Sequence, residues 1–500
     1  MQQLKTNSIV IYAALFACMS IPFIYYDYFG LLCAPPVGTH IWRQTDSLSF
    51  AWCYWKNGLD FFHPQILNRS FGNGYAVSEF PALQYFIAIL YAVFGFHWWI
   101  SKVIYVLIYF SGLAAIFRIA NFYTKRLFWS FFLSLLFFTA PSLVFYGNSC
   151  IPDVPALSFS FIGFSFFLSH KETEKKYFYW LSMLFFCLAG LIKVTYLLLF
   201  LSAFSVWFIL HGSDIASRIS FLKKHAGYII IIIAVNLLWY VWSDNYNRIN
   251  DHIYFLNKIN PVWKESAQKG YILKRTITEW ALRFFSAPTN YLFFFSLILM
   301  PFGWKKGNKF LSLTTLLLLI GSIAYYLLWY LQFLVHDYYT ILFYAVYLFS
   351  FLNMLVLVTA KFSQFLQSFT IKLIAVMLLV SNMIHVKNDL QMRYKEAELY
   401  PADKYLLDEG LVPYVRSIGI KDIDYVVVST DGSPQIILCA LQNPGFTEFC
   451  IGQYTPEKIK WMKEKGAKYL ILIQKDIYRE LTINLGKPIG SYKEVTIYKL

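Results

Sequence analysis

His40–Pro81 reads HIWRQTDSLSFAWCYWKNGLDFFHPQILNRSFGNGYAVSEFP, and it gathers acids, bases, glycines and prolines inside a chain that is otherwise mostly apolar. An apolar run, Ile9 to Ile24, precedes it, and a long series of apolar runs follows. The 500 residues are 58% hydrophobic, 20% aromatic and only 14% charged. Soluble domains carry about 25% charged residues. A hydrocarbon core of about 30 Å is crossed by a helix of about 20 apolar residues, and several runs here have that character. The chain therefore reads as a polytopic α-helical membrane protein. His40–Pro81 is the core of its large first extracytoplasmic loop, about 30–81.

The formal net charge is +15. On a soluble protein such a charge indicates nucleic acid. Here the basic residues sit in short loops between apolar runs, which is the positive-inside pattern. The bilayer is then the partner, and nucleic acid is excluded. Lys171, Lys175 and Lys176, then Arg218, Lys223 and Lys224, then Lys305, Lys306 and Lys309 mark inside loops. The run Ile9–Ile24 lacks the short core and cleavage site of a signal peptide, so it reads as an uncleaved first span. Ala82–Gly95 is short for a span, and treating it as half-embedded keeps Arg118, Lys125 and Arg126 inside. This gives about eleven spans within residues 1–387. A long outer loop, 243–288, is basic, with Lys258, Lys264, Lys269, Lys274, Arg275 and Arg283.

Residues 388–500 are polar and read as a small extracytoplasmic α/β domain with enough length for a core of its own. Strands are predicted at 425–429, 435–438, 469–473 and 495–499. A helix is predicted over 456–465, with Thr455 as N-cap. None of the seven cysteines shows metal-ligand spacing. Cys439 and Cys450 are placed to pair if the domain is in an oxidising compartment.

The acids avoid the apolar runs and fall at span ends, as Asp46, Glu79, Asp153 and Asp337. In this topology they converge on one membrane face. That suits an interfacial active site better than a transporter, whose site lies near the midplane between repeats.

Several motifs occur in a fixed order: Asp46 in WRQTDS soon after the first span; Glu79-Phe80-Pro81-Ala82-Leu83 closing the loop; and a short apolar helix ending Val93-Phe94-Gly95. Pro152 to Pro155 form a Pro-Asp-x-Pro element, and His336 to Tyr339 read HDYY before a late apolar run. In this order the chain resembles the C-type glycosyltransferases (the GT-C superfamily), particularly those similar to protein O-mannosyltransferases and lipid A aminoarabinose transferases. The pattern departs in two places: Asp46 is followed by Ser47 rather than a second acid, and Phe80 stands where many relatives have a basic residue.

The resemblance implies a hexosyl or pentosyl transferase in a bacterial inner membrane. It would move a sugar from a polyprenyl-phosphate donor to an extracytoplasmic acceptor, whether glycan, lipid or protein. Asp46 would be the base and Glu79 its catalytic partner. Arg43, Asp153, Lys193, Arg275, Arg283, His336 and Tyr338 would contact substrate, and a single displacement would invert the anomeric carbon. No cofactor is required, though a divalent cation, Mg or Mn, is compatible with Asp46, Glu79 and Asp153 as oxygen donors. The alternatives are a polymerase or ligase of lipid-linked glycans and, with less support, a transporter. Each residue also has a structural reading. Asp46 pairs with Arg43, Glu79 orients the loop, Asp153 caps a helix, and His336 and Tyr338 are interfacial aromatics.

Overall fold

A computed structural model describes residues 2–212, 214–255, 259–264, 267–395, 402–473 and 485–500. Helices dominate. The first, α1 (Gln2–Tyr25), is followed by Asp27, a left-handed residue whose carboxylate caps α2 (Tyr28–Cys33). The first loop begins with α3 (Ile41–Lys56) and closes on α4 (Ala82–Phe94), which stops at Gly95 with φ +78°. α5 (Trp98–Thr124), α6 (Leu127–Phe137), α7 (Pro141–Gly147), α8 (Asp153–Thr173), α9 (Lys176–Ile192) and α10 (Leu198–Ile209) follow. Then come α11 (Ile215–Ile249), α12 (Lys269–Arg275), α13 (Ala287–Lys306), α14 (Lys309–Leu328), α15 (Tyr344–Lys361) and α16 (Phe369–Lys395).

By length and composition, five helical segments among the described residues reach across a membrane: α5, α11, α14, the segment Asp337–Lys361 and α16. Counting two bent pairs as single spans makes seven. One pair is α6 with α7, bent by 69°; the other is Lys269–Arg283 with Ala287–Trp304, bent by 110°. The expected figure of about eleven is met if α1, α8, α9 and α10 also cross while α4 stays half-embedded. α11 and α16 turn large apolar side chains outward, among them Ile231, Leu238, Phe369 and Met377. Apolar side chains facing out over whole helices are what lipid, not water, requires. α5, α8 and α15 form the interior, and α5 approaches α8 closely because Gly112 faces Ser158.

Three expectations fail in the loops. Arg218, Lys223 and Lys224 do not form a loop; they lie on the first turns of the 35-residue α11. The stretch 243–288 is largely helical: α11 runs on to Ile249, and α12 continues through a π turn, Thr276–Trp280, and a 3₁₀ turn, Ala281–Arg283. Lys258 lies outside the described residues. α16 runs on to Lys395 and carries two buried charges, Asp389 and Arg393, so not all charges avoid the apolar helices.

The C-terminal part contributes α17 (Asp403–Leu406), α18 (Leu411–Ser417), α19 (Ile436–Leu441) and α20 (Pro456–Glu464). Its sheet has the order β2-β1-β3-β5-β4, from β1 (Tyr425–Val428), β2 (Gly445–Phe446), β3 (Ala467–Ile473), β4 (Gly490–Tyr492) and β5 (Val495–Lys499). β1 runs parallel to β2 and β3, while β5 is antiparallel to β3 and β4. Thr455 caps α20 as expected, accepting from the Lys458 amide. The strand expected at 435–438 is instead α19. A short, fully buried apolar run has no period to separate the two forms; here Ser433 and Asp431 accept from the amides of Ile436 and Ile437 and start a helix. Cys439 and Cys450 do not pair: Cys439 is buried against the Thr45 carbonyl of α3 and Cys450 is exposed.

The first loop is tied to this sheet. Asn68 bridges to Gly445 at the β2 edge, and its side chain donates to Pro434 O and Thr447 Oγ1. Ile41, Trp52, Cys53 and Leu67 of the loop share one core with Val426, Ile437 and Ile471 of the C-terminal part.

Candidate active site

α3 begins abruptly. Gly38 and His40 both adopt left-handed backbone, an uncommon conformation for a non-glycine residue. The His40 ring is held in place, with Nε2 3.1 Å from Asp337 Oδ1. From this start, His40, Arg43 and Asp46 recur every three residues. That spacing puts them on one helix face, and all three line a cavity of about 840 Å³.

Asp46 is 0% exposed. Its Oδ2 accepts from the Tyr254 hydroxyl at 2.9 Å, and its Oδ1 has no hydrogen-bond partner. Burial pushes its carboxyl up to about 7, against the pull of Arg43 and Tyr254 and with a further push from Glu79. The Arg43 guanidinium lies 3.9 Å from Asp46 but makes its close contact with Glu79. Glu79 also accepts from Ser78 at 2.5 Å. Burial raises the Glu79 carboxyl, but Arg43, Ser78 and Lys193 more than offset this and leave it below the usual range. The two acids therefore differ: Glu79 is a permanent anion, while Asp46 exchanges a proton near neutrality.

Lys193 follows α9 and lines the same cavity, its Nζ 2.7 Å from Asp153 Oδ1 and 3.9 Å from the Tyr339 ring centre. Asp153 stands one layer behind, held by Lys193 and by the Tyr196 hydroxyl at 3.1 Å. It is the first residue of α8 and makes no N-cap bond. Arg275, Arg283 and Trp280 also line the cavity, the two guanidinium carbons 4.5 Å and 4.8 Å from the Trp280 ring centre. Arg275 is engaged by Glu279 and the Leu334 carbonyl, Arg283 by Asp337. Tyr338 lines the cavity, its ring perpendicular to that of His40. His336 also lines it, but burial, with His40 and Lys193 nearby, lowers its pKa to about 3. It is a neutral imidazole, so it offers a hydrogen bond and not a charge.

Sequence reading did not find four residues. His40 and Tyr254 contact the acids directly, Trp280 packs against two cations, and Arg393 donates to Asp337 Oδ2 at 2.7 Å. The i−3 spacing from Arg43 was a usable signal for His40. No local pattern marks Tyr254 among 38 tyrosines, and Arg393 lies where composition indicates the start of the tail. Asp46 and Glu79 share Arg43, and Asp153 is held by Lys193 and Tyr196. Among the described residues no group of three His, Cys, Asp or Glu side chains is gathered for a metal ion, so the donor set for Mg or Mn is not assembled.

No protein-family model matches the chain, and no curated protein sequence matches it. Solved structures do. ArnT from Cupriavidus metallidurans in the apo state superposes with a TM-score of 0.61 at 11% identity, covering 99% of this chain and 98% of that one. ArnT bound to undecaprenyl phosphate gives 0.60 at 12% identity, with the same coverage. The Archaeoglobus fulgidus oligosaccharyltransferase in the apo form gives 0.52 at 10% identity, covering 92% and 70%. Arabinofuranosyltransferase AftD from Mycobacteria gives 0.53 at 12% identity, covering 97% and 41%. Over nearly its whole length the chain thus has the fold of the C-type glycosyltransferases.

Proposed function

We propose that this chain transfers a sugar from a polyprenyl-phosphate donor to an acceptor hydroxyl outside the cytoplasm of a bacterial cell. The observation that carries this reading is the cavity itself. It combines a carboxylate poised near pH 7 with Arg43, Lys193, Arg275 and Arg283 at the ends of apolar helices. The undecaprenyl phosphate bound by the ArnT neighbour supports a lipid-phosphate donor.

The chemistry follows from the geometry. Asp46 takes the acceptor hydroxyl's proton on Oδ1, the oxygen without a hydrogen bond, while Tyr254 fixes the carboxylate plane through Oδ2. A base works best with a pKa near the working pH. The acceptor oxygen bonds to the anomeric carbon, and the bond from that carbon to the phosphate oxygen breaks. Its electron pair leaves with polyprenyl phosphate, inverting the centre. Arg43, Lys193, Arg275 and Arg283 stabilise the charge that develops on the leaving phosphate. Glu79 holds Arg43 in place. In this reading α1, α8, α9 and α10 complete about eleven spans with α4 half-embedded, and the C-terminal domain faces outside.

A transfer assay tests this, with radiolabelled polyprenyl-phosphate monosaccharides as donors and membrane extract as acceptor. Label moving with the wild type and not with Asp46→Asn is expected. Equal transfer by both would remove Asp46 from the chemistry. Transfer only from a donor bearing a preassembled glycan would replace single-sugar transfer with block transfer.

A further inference from the structure

α3 has a second concave side. Its last turns, the loop from Asp60 to Gln65, Arg69, Tyr75 and the C-terminal residues Tyr425 and Pro444 enclose a separate pocket of about 460 Å³. The pocket shares no lining residue with the catalytic cavity. Pockets of this size between two parts of a chain are where small ligands bind.

Most of its charged side chains have a close partner: Lys56 is 2.7 Å from Asp422, and Asp60 is 2.7 Å from His63 Nδ1. Arg69 is only 5% exposed, yet no carboxylate pairs with it among the described residues. Its Nη1 donates to two neutral acceptors, Gln65 Oε1 at 3.0 Å and the Asn73 carbonyl at 2.9 Å. Its Nε has no hydrogen-bond partner, and the Cys53 thiol, pushed up by burial, lies against the guanidinium, which pulls that thiol's pKa down. The Tyr425 ring stands 5.5 Å from the guanidinium. A buried charge without a counter-ion is costly. A guanidinium fork in that state is matched to a carboxylate or phosphate.

The rest of the lining suits a sugar ring. Asn57 and Gln65 present planar amides, joined at 2.6 Å, which exchange hydrogen bonds readily with hydroxyls. Trp52, Tyr75 and Tyr425 supply aromatic surface; such side chains offer an apolar face with a polar tip. At 1.5 Å per residue along α3, Trp52 to Lys56 lie roughly 9–15 Å from Asp46.

We propose that this pocket holds an acidic sugar unit, carrying a carboxylate or a phosphate, of a glycan acceptor. The word acceptor rests on the transfer reading above; the binding of an acidic saccharide does not. Arg69 also ties Gln65 to Asn73 across the loop, so activity loss alone would not separate binding from loop structure.

The test is direct binding to the purified full-length protein in detergent. The probes are size-matched tetrasaccharides: neutral, uronate-bearing and phosphate-bearing. The acidic probes are expected to bind at least about tenfold more tightly than the neutral one. Arg69→Gln is expected to remove that preference, and Tyr425→Ala to weaken all binding. Asp46→Asn is expected to leave it intact, so a failed transfer reading and a failed pocket give different results. Binding by the uronate probe alone or the phosphate probe alone identifies the anion and supports the site. Equal affinity for neutral and acidic probes, no binding of either acidic probe, or an unchanged preference in Arg69→Gln would overturn the proposal. If Arg69→Gln does not fold, unchanged binding in Tyr425→Ala would overturn it as well.

Discussion

Asp46 and Glu79 stand in the same cavity, and the difference between them comes from Arg43. Its guanidinium makes its close contact with Glu79 and stays 3.9 Å from Asp46. Asp46 is therefore only weakly compensated for its burial. A carboxyl raised to about 7 in the folded state, against about 3.9 in an unfolded chain, favours folding most when protonated. That contribution is complete below about pH 4 and is lost as pH rises through 7. Asp46→Asn removes the penalty of ionisation. The variant is expected to melt at or above the wild-type temperature at pH 8, while transfer falls by about 10²–10⁴-fold. A melting temperature several degrees lower would mean that Asp46 is structural. The same arrangement sets the pH profile: transfer is expected to rise with pH to a plateau, with its midpoint near 7. Glu79→Gln releases Arg43 toward Asp46 and removes a neighbouring negative charge. Its acid limb is expected to move to lower pH, even as overall activity falls. A limb that stays in place or moves upward would break the electrostatic assignment.

Among the elements, the long apolar runs were legible because their length alone nearly fixes their state. α4 matches the predicted run 82–95 to within one residue, and β5 matches its predicted strand. Legibility failed where one residue pattern fits two states. Ile436–Leu441 is apolar at every position, so only the capping by Asp431 and Ser433 decides for helix. The charged start of α11 reads as a loop because lysines mark membrane boundaries whether or not the helix continues past them. The site was half legible. Helical spacing links Arg43 to Asp46, whereas the buried Asp337–Arg393 contact joins residues 56 positions apart, a distance no local pattern spans. α16 brings Arg393 there and holds it through Asp389 at 2.5 Å. Removing one partner of a buried ion pair costs about 3–5 kcal/mol. Arg393→Met is expected to lose stability of that order in thermal unfolding, and to loosen His40 with it. An unchanged melting curve would show that Arg283 and His40 suffice for Asp337.

At the scale of the whole molecule, the outermost and innermost parts are less separate than composition implies. The core that the C-terminal part encloses on one side is completed by Ile41, Trp52 and Leu67 of the first loop. Ser49 and the Asn68 amide both donate to Gln435 Oε1, at 3.2 Å and 3.1 Å. A chain ending before residue 402 is therefore expected to be cut readily by protease within the first loop, where the full chain resists. Equal resistance in both would show that α3 stands without its outer support. The helix that carries Asp46 is thus packed between the helical part and the C-terminal sheet domain. A tail borrowed from another protein of this fold would not fit unless its α3 came too. Chimaeras cut at the apparent boundary near residue 387 are expected to fail, and those exchanging residues 40–75 together with the tail to survive. In a lineage, these two distant stretches of sequence would have to change in step.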